Sequence, residues 1–213
     1  MPLIKRLSTS DGDFLSTLDK LIAWNTVSDA NIEERVTKII QQVRSTGDQA
    51  LVDFSNQFDR RSVKSMEQLC VDSAQLEAAL ANIDTKTRTA LETAAQRISD
   101  YHQHQIQDSW QYQEPNGTML GQRVTPLERV GLYVPGGKAS YPSSVLMSCI
   151  PARIAGVEEV IMAVPAPDDE LNPIVLAAAA IAGVDKVFTV GGAQAVAAMA
   201  YGCLLYTSPS PRD

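Results

Sequence analysis

Histidine is nearly absent from this chain, which contains only His102 and His104. The two residues lie two positions apart on a predicted helix, so their side chains face different directions and would share a metal ion poorly. This scarcity excludes a histidine-rich zinc site and a Ser-His-Asp triad assembled from these residues.

Cysteine is also scarce. Cys70, Cys149 and Cys203 lie far apart and lack metal-ligand spacing, which favours free thiols in a reducing compartment. The sequence shows no secretory leader and no run of roughly 18 apolar residues without charge, so we expect neither export nor a membrane span. A cytoplasmic location is therefore expected.

Basic residues are outnumbered. The chain has 18 Lys and Arg against 25 Asp and Glu, a net charge of −7, and 45% of its residues are hydrophobic. Such a chain lacks the broad basic face that nucleic-acid binding usually requires, but it has enough apolar material for a sizeable core. These properties predict a soluble globular protein that does not bind nucleic acid.

Residues 1–110 show mainly helical signals. Apolar residues recur at helical spacing in an arm of residues 1–26 and in four further segments up to residue 107. The second helix is expected to begin at Ser28 or Asp29 and to end before Gly47. Turn signals at Pro115-Asn116-Gly117 then predict a short hairpin.

A regular alternation of strand and helix begins at Arg129. Three apolar runs, residues 129–134, 158–165 and 185–190, predict strands, and a helical segment follows each of them. Short connections between such elements are typical of a parallel sheet covered on both faces. We therefore expect all three strands to be buried on both sides.

Capping residues predict where two of these helices begin and end. Ser143 or Ser144 is expected to cap the first helix, which should bend or restart at Pro151. The second helix is expected to begin at Asn172-Pro173 and to end before Gly183.

Two of the three strands end in paired glycines, Gly136–Gly137 and Gly191–Gly192. Ligands of parallel sheets bind outside the carboxyl ends of the strands, and glycine followed by a helix N-terminus suits a phosphate group. A tight strand-to-helix turn needs the same residues, however, and neither turn matches the G-x-G-x-x-G fingerprint. Both a nucleotide site and a purely structural turn remain open.

Tyr133 and Gln194 flank the two glycine turns. A tyrosine at the end of a strand can stack on an adenine or nicotinamide ring, and a glutamine at a helix start can bond a ribose or a carboxamide. The alternatives are a half-buried core tyrosine and an ordinary polar residue at a helix start. The chemistry of the two side chains alone favours these alternatives.

Two long segments resemble histidinol dehydrogenase. They are ERVGLYVPGGKASYPSSVLMSCIPARIAGVEEVIMAVPAP and NPIVLAAAAIAGVDKVFTVGGAQAVAAMAYG, with YHQHQ and TPLERVGLYVPGG upstream. The central motifs are Tyr133-Val134-Pro135-Gly136-Gly137 and Gly191-Gly192-Ala193-Gln194-Ala195. The likeness runs from the first helices to Gly202.

The resemblance implies an α/β fold. An incomplete Rossmann-like, three-layer parallel-sheet unit is expected at residues 129–202, after a mainly helical region. That region would comprise the arm, residues 1–26, and the first half of a discontinuous α/β domain, residues 27–128.

The resemblance also implies a function. Histidinol dehydrogenases oxidise L-histidinol to L-histidine through the aldehyde, in the last step of histidine biosynthesis. They use NAD⁺ and one zinc ion per subunit and act as homodimers. The family's NAD contacts include residues that match Tyr133 and Gln194, so the expected cofactor-binding residues are Tyr133, Gly136, Gly137, Gly191, Gly192 and Gln194.

The sequence departs from the family pattern after Gly202. Residues 203–213, CLLYTSPSPRD, have neither helical nor strand periodicity and look foreign to the family. The family's zinc ligands and catalytic Glu-His pair are expected beyond Gly202. We therefore expect no catalytic or metal-binding residue in this chain and no activity from it alone.

Two other interpretations remain. One is a fragment of an aldehyde-dehydrogenase-like enzyme such as glutamyl-phosphate reductase, which would need a catalytic cysteine. Cys149 lies in an apolar helical segment, a poor environment for a nucleophile. The other is a fragment without catalysis that binds NAD or nothing.

Overall fold

The computed structural model describes residues 6–22, 30–136 and 141–203. The chain divides into two compact units, residues 1–39 and 40–213. The first unit contains helix α1 (Phe14–Ile22) and the start of helix α2 (Ala30–Thr46), both predicted from apolar spacing. The expected caps of α2, Ser28 and Asp29, lie outside the described residues.

The second unit contains the remaining helices and strands. Its helices are α3 (Asp48–Phe58), α4 (Ser73–Asn82), α5 (Thr85–Gln103), α6 (Pro142–Ile154), α7 (Pro173–Ala182) and α8 (Gly192–Ala200). Its strands are β1 (Cys70–Val71), β2 (Trp110–Gln113), β3 (Met119–Gln122), β4 (Arg129–Tyr133), β5 (Glu159–Ala163) and β6 (Lys186–Phe188). No helix in the described ranges combines the length and apolar character needed to cross a membrane.

The three predicted strands are parallel neighbours. The four-stranded sheet has the order β1-β6-β5-β4, and β1 alone runs antiparallel to its neighbour. Tyr133 is in register with Ala163, which is in register with Phe188. The ladder continues past the strand ends, because the Val134 and Val164 amides donate to the carbonyls of Ala163 and Phe188. The expected hairpin is also present as the pair β2–β3.

Helices cover both faces of the sheet. One face packs against a layer formed by α4, α5, α6 and α7, through Val130, Leu132, Val160, Met162 and Val187. Side chains alternate along a strand, so Gly131 and Tyr133 point to the other face. There, Met199 of α8 lies so close to Gly131 that an added Cβ would be 2.4 Å from its sulfur. The mixed α/β fold class is confirmed.

Strand β4 corrects one expectation. Its exposure alternates, with Arg129, Gly131 and Tyr133 exposed and the residues between them partly buried. It is the edge strand of the sheet and pairs only with β5 among the described residues. The prediction that all three strands are buried on both sides is therefore wrong for β4, whereas β5 is buried from Val160 to Ala163.

The helix caps are partly as predicted. Helix α6 begins at Pro142 after Tyr141, so neither Ser143 nor Ser144 is its cap, and the helix continues through Pro151. Proline explains the earlier start, because its fixed φ suits the first helical position. In α7, Asn172 accepts a 2.9 Å hydrogen bond from the Ile174 amide, as expected.

A polar clamp ties the end of α3 to the segment that follows β5. Arg60 forms a two-point hydrogen-bonded ion pair with Asp168, and Arg61 pairs with Asp169. The Asp168 amide also donates to the Asp59 carbonyl over 2.8 Å. This clamp joins segments 108 residues apart in sequence at the carboxyl end of the sheet.

Asp59, beside this clamp, is a buried carboxylate. Its residue is 8% exposed, and its Oδ2 atom has no hydrogen-bond partner among the described residues. Burial raises its pKa, an effect that outweighs the opposing influence of Arg61, the Ala166 amide and Arg60. The charged carboxylate therefore destabilises the folded state.

Replacing Asp59 by asparagine should stabilise the protein in a pH-dependent way. The folded-state pKa of Asp59 lies above its ordinary value of 3.8. The contribution of Asp59 to the free energy of unfolding is therefore fully present below pH 3.8 and is lost as the pH rises through the folded-state pKa. Urea unfolding should show that Asp59→Asn gains stability over the unmodified chain between acidic and neutral pH. Asp108→Asn, at an exposed position, is the control. A stability difference that is the same at every pH would contradict this interpretation.

Pro165 packs between the two glycine turns. An added Cβ on Gly136 or on Gly191 would lie 2.4 Å from the Pro165 ring in either case. The turns after β4, β5 and β6 are therefore in contact along one rim, and the absence of two side chains makes room for the proline. This packing accounts for Gly136 and Gly191 without a ligand.

A pair of compensating substitutions can test that packing. Gly191→Ala should lower the free energy of unfolding by about 1–3 kcal/mol, because the new methyl group meets the proline ring. Pro165→Ala in the same chain should restore much of the loss, as measured by urea unfolding. Gly12→Ala, which meets no atom within 4 Å, is the control. Undiminished stability of Gly191→Ala would show that the rim has room to spare.

Candidate functional site

The end of β4 meets the start of α8 through Tyr133. The Tyr133 hydroxyl accepts a hydrogen bond from the Gly192 amide over 3.1 Å. Gly191 precedes α8 and supplies no side-chain cap, so the tyrosine satisfies one of the free amides at this helix start. Tyr133 remains 38% exposed, which leaves part of its ring accessible to a ligand.

Gln194 lies behind the same turn. Its residue is only 2% exposed, and an added Cβ on Gly192 would lie 2.7 Å from its Oε1 atom. Gly192 also has a φ of +66°, which an L side chain rarely adopts. Tyr133 and Gln194 therefore both approach Gly192, although only Tyr133 is open to solvent.

The expected site residues fall into one neighbourhood. Tyr133, Gly191, Gly192 and Gln194 form the corner at the start of α8, and Pro165 links this corner to Gly136. Gly137 lies outside the described residues. The role of these residues in cofactor binding stays a prediction.

A groove lies beside Gly136 at the carboxyl ends of β4 and β5. Its volume is about 570 Å³, and three segments line it: the end of α3, the turn after β4, and the stretch from Val164 to Leu176. Among the described residues, its charged lining consists of Arg60, Asp168 and Glu170, so one arginine against two carboxylates gives these three side chains a net charge of −1. Such a groove can hold a ligand that presents both apolar surface and hydrogen-bond donors.

The sequence analysis did not identify Arg60, Asp168 or Asp169 as site residues. Both aspartates are exposed, but each pairs with an arginine. The Arg60 hydrogen bonds hold the pKa of Asp168 below its usual value. Arg60, Asp168 and Asp169 also share positive φ angles of 55°, 57° and 63°. The sequence shows two adjacent arginines and two adjacent aspartates, but it contains no signal that these residues form ion pairs with each other.

Among the described residues, the other reactive groups bring together no set of three metal ligands. Cys149 is fully buried, its thiol donates to the Ala182 carbonyl over 3.3 Å, and burial raises its pKa to about 11. It therefore remains a protonated thiol and a poor nucleophile, which weakens the aldehyde-dehydrogenase-like alternative. His102 Nδ1 lies 2.6 Å from Gln105 Oε1. Across residues 6–22, 30–136 and 141–203, no group of three or more metal-ligating side chains comes together.

Relatives are found in both sequence and structure. A protein described as histidinol dehydrogenase from Pseudomonas putida is 60% identical over 199 residues, which make up 93% of this chain and 45% of the relative. One from Aromatoleum aromaticum is 56% identical over 199 residues, with the same two coverages. The chain thus spans less than half the length of these curated relatives.

A solved structure is also similar. The crystal structure of histidinol dehydrogenase from Elizabethkingia anophelis matches with a TM-score of 0.75 and 26% identity, covering 85% of this chain and 43% of that one. The sequence model described as histidinol dehydrogenase matches residues 23–208. These matches confirm the resemblance inferred from the glycine-turn motifs. The chain belongs to the histidinol dehydrogenase family.

Proposed function

We propose that this chain is the NAD-binding portion of an enzyme that oxidises L-histidinol to L-histidine, the last step of histidine biosynthesis. The observation that carries the proposal is the Tyr133–Gly192 hydrogen bond, which joins both family motifs in one corner at the carboxyl rim. Relatives named histidinol dehydrogenase support the substrate and the reaction.

The topology supports a ligand at this corner. The helices after β4 and β5 lie in one layer, whereas α8, after β6, lies on the opposite face and returns to β4. With a right-handed crossover, a following parallel strand would join the sheet beside β4. That arrangement would make the end of β4 the point where strand order reverses, and ligands of open parallel sheets bind at such points.

The residues present suit NAD. The exposed part of the Tyr133 ring offers a stacking surface, the start of α8 offers backbone amides, and the groove beside Gly136 has room for a nucleoside. NAD⁺ supplies the acceptor for the hydride that leaves the substrate alcohol. This chain's own part is to bind and orient that cofactor.

Zinc does not fit the described residues, because they bring together no set of three ligands. Zinc binding, the catalytic Glu-His pair and homodimer formation are proposed only for the full-length enzyme, together with a cytoplasmic location. A non-catalytic NAD-binding fragment is the second candidate for the chain as it stands. It is favoured by coverage of 45% of the Pseudomonas putida relative.

Calorimetric titration with NAD⁺ can test cofactor binding. The chain should bind NAD⁺ weakly, and Tyr133→Ala should lower the affinity at least about fivefold, the low end of the cost of losing one base–aromatic stack. Tyr112→Ala removes another exposed tyrosine, on strand β2, and should leave the affinity unchanged. Equal affinities for all three proteins would remove Tyr133 from the site.

Turnover can be tested separately. The purified chain should produce no NADH from L-histidinol and NAD⁺, with or without added zinc, because the proton acceptor and metal ligands are expected beyond Gly202. The absorbance of NADH provides the measurement, and a full-length relative is the positive control. NADH formation proportional to the concentration of this chain would place the catalytic groups within it.

A further inference from the structure

The groove beside Gly136 has a polar end that the family motifs do not include. Arg60, Asp168 and Glu170 line it together with Pro135 and Gly136, so its polar end and the glycine turn belong to one cavity. The carboxylates follow β5, the neighbour of β4 in the sheet. In dinucleotide-binding folds, an acidic residue downstream of the glycine turn accepts hydrogen bonds from the adenosine ribose.

The ion pair in the groove determines what Arg60 can bind. Asp168 accepts a 2.8 Å hydrogen bond from Arg60 Nε at Oδ1 and a second from Nη2 at Oδ2. This two-point contact is the geometry in which a guanidinium also binds phosphate. Asp168 therefore occupies one of the two edges through which Arg60 could bind a phosphate group in this way.

The negative charge of the groove also disfavours a phosphate group. Among the described lining residues, Asp168 and Glu170 outnumber Arg60. The pKa of Asp168 is lowered by its arginine partner, so Asp168 is ionised at neutral pH. A ribose 2′-hydroxyl can donate a hydrogen bond to a carboxylate, whereas a 2′-phosphate would be repelled. The groove thus favours a nucleotide that lacks the 2′-phosphate.

We infer that the groove holds the adenosine half of the dinucleotide and that Asp168, with Glu170, selects NAD⁺ over NADP⁺. Asp168 does so by engaging Arg60 and by presenting negative charge to the ribose. This inference rests on the proposed NAD-binding function.

Asp168→Asn tests the inference. Asparagine tolerates positive φ, so the backbone should be preserved. The loss of the negative charge and of one acceptor oxygen weakens the contact with Arg60. Calorimetric titration should show NADP⁺ affinity rising about tenfold relative to the unmodified chain, with a smaller change for NAD⁺. Glu170→Gln removes the second carboxylate without breaking the ion pair and should raise NADP⁺ affinity by about two- to threefold.

Asp169→Asn is the matched control. It removes the same charge at the adjacent residue, which also has a positive φ, but Asp169 pairs with Arg61 and does not line the groove. Its NADP⁺ affinity should stay within about twofold of the unmodified chain. Cooperative thermal melting checks that each variant folds. If Asp168→Asn does not fold, the NADP⁺ affinity of Glu170→Gln provides the test.

The outcomes separate the two proposals. NAD⁺ binding with the same NADP⁺-to-NAD⁺ affinity ratio in the Asp168→Asn and Asp169→Asn variants would overturn the role of Asp168 and leave the proposed function standing. Equal affinity of the unmodified chain for both dinucleotides would do the same. If no variant binds either dinucleotide, the proposed function fails, and the selectivity fails with it.

Discussion

The parallel register of β4, β5 and β6 is the constraint on which the rest of the site depends. Because Tyr133, Ala163 and Phe188 lie side by side, the three strands end together on one rim. Three turns can share that rim only if their backbones approach closely, and Pro165 fits where Gly136 and Gly191 carry no side chain. The glycines thus first satisfy packing, and the corner that any ligand would meet is a result of that packing.

Ion pairs hold together two of the segments that line the groove beside the rim. Arg60 and Arg61 reach across to Asp168 and Asp169, while Asp59 is buried beside them with one unpartnered oxygen. Arg60 and both aspartates hold positive φ angles, a conformation that is uncommon for arginine and that aspartate adopts more readily. The ion pairs hold these residues together and also engage Arg60, the arginine among the described lining residues of the groove. The contact between these two segments and the proposed ligand preference therefore involve the same side chains.

Much of the secondary structure followed from local patterns. Apolar spacing located the helices from α1 to α5, Pro115-Asn116-Gly117 marked the hairpin, and Asn172 with Gly183 bounded α7. These signals act within a few residues, so tertiary context did not change them. Strand β1 was missed because two residues carry no periodicity. The burial of β4 was wrong because an apolar run does not show whether a strand has a neighbour on each side.

The sequence alone determined the family, the α/β class and the candidate cofactor-binding residues, since motifs and apolar periods are local properties of the chain. Tertiary structure alone decided how those residues meet: Tyr133 on the Gly192 amide, Gln194 buried behind it, and Pro165 between two glycines. It also paired Arg60 with Asp168, 108 residues away. Such contacts depend on strand register and on packing between distant segments, and neither leaves a periodic or spacing signal in a single sequence.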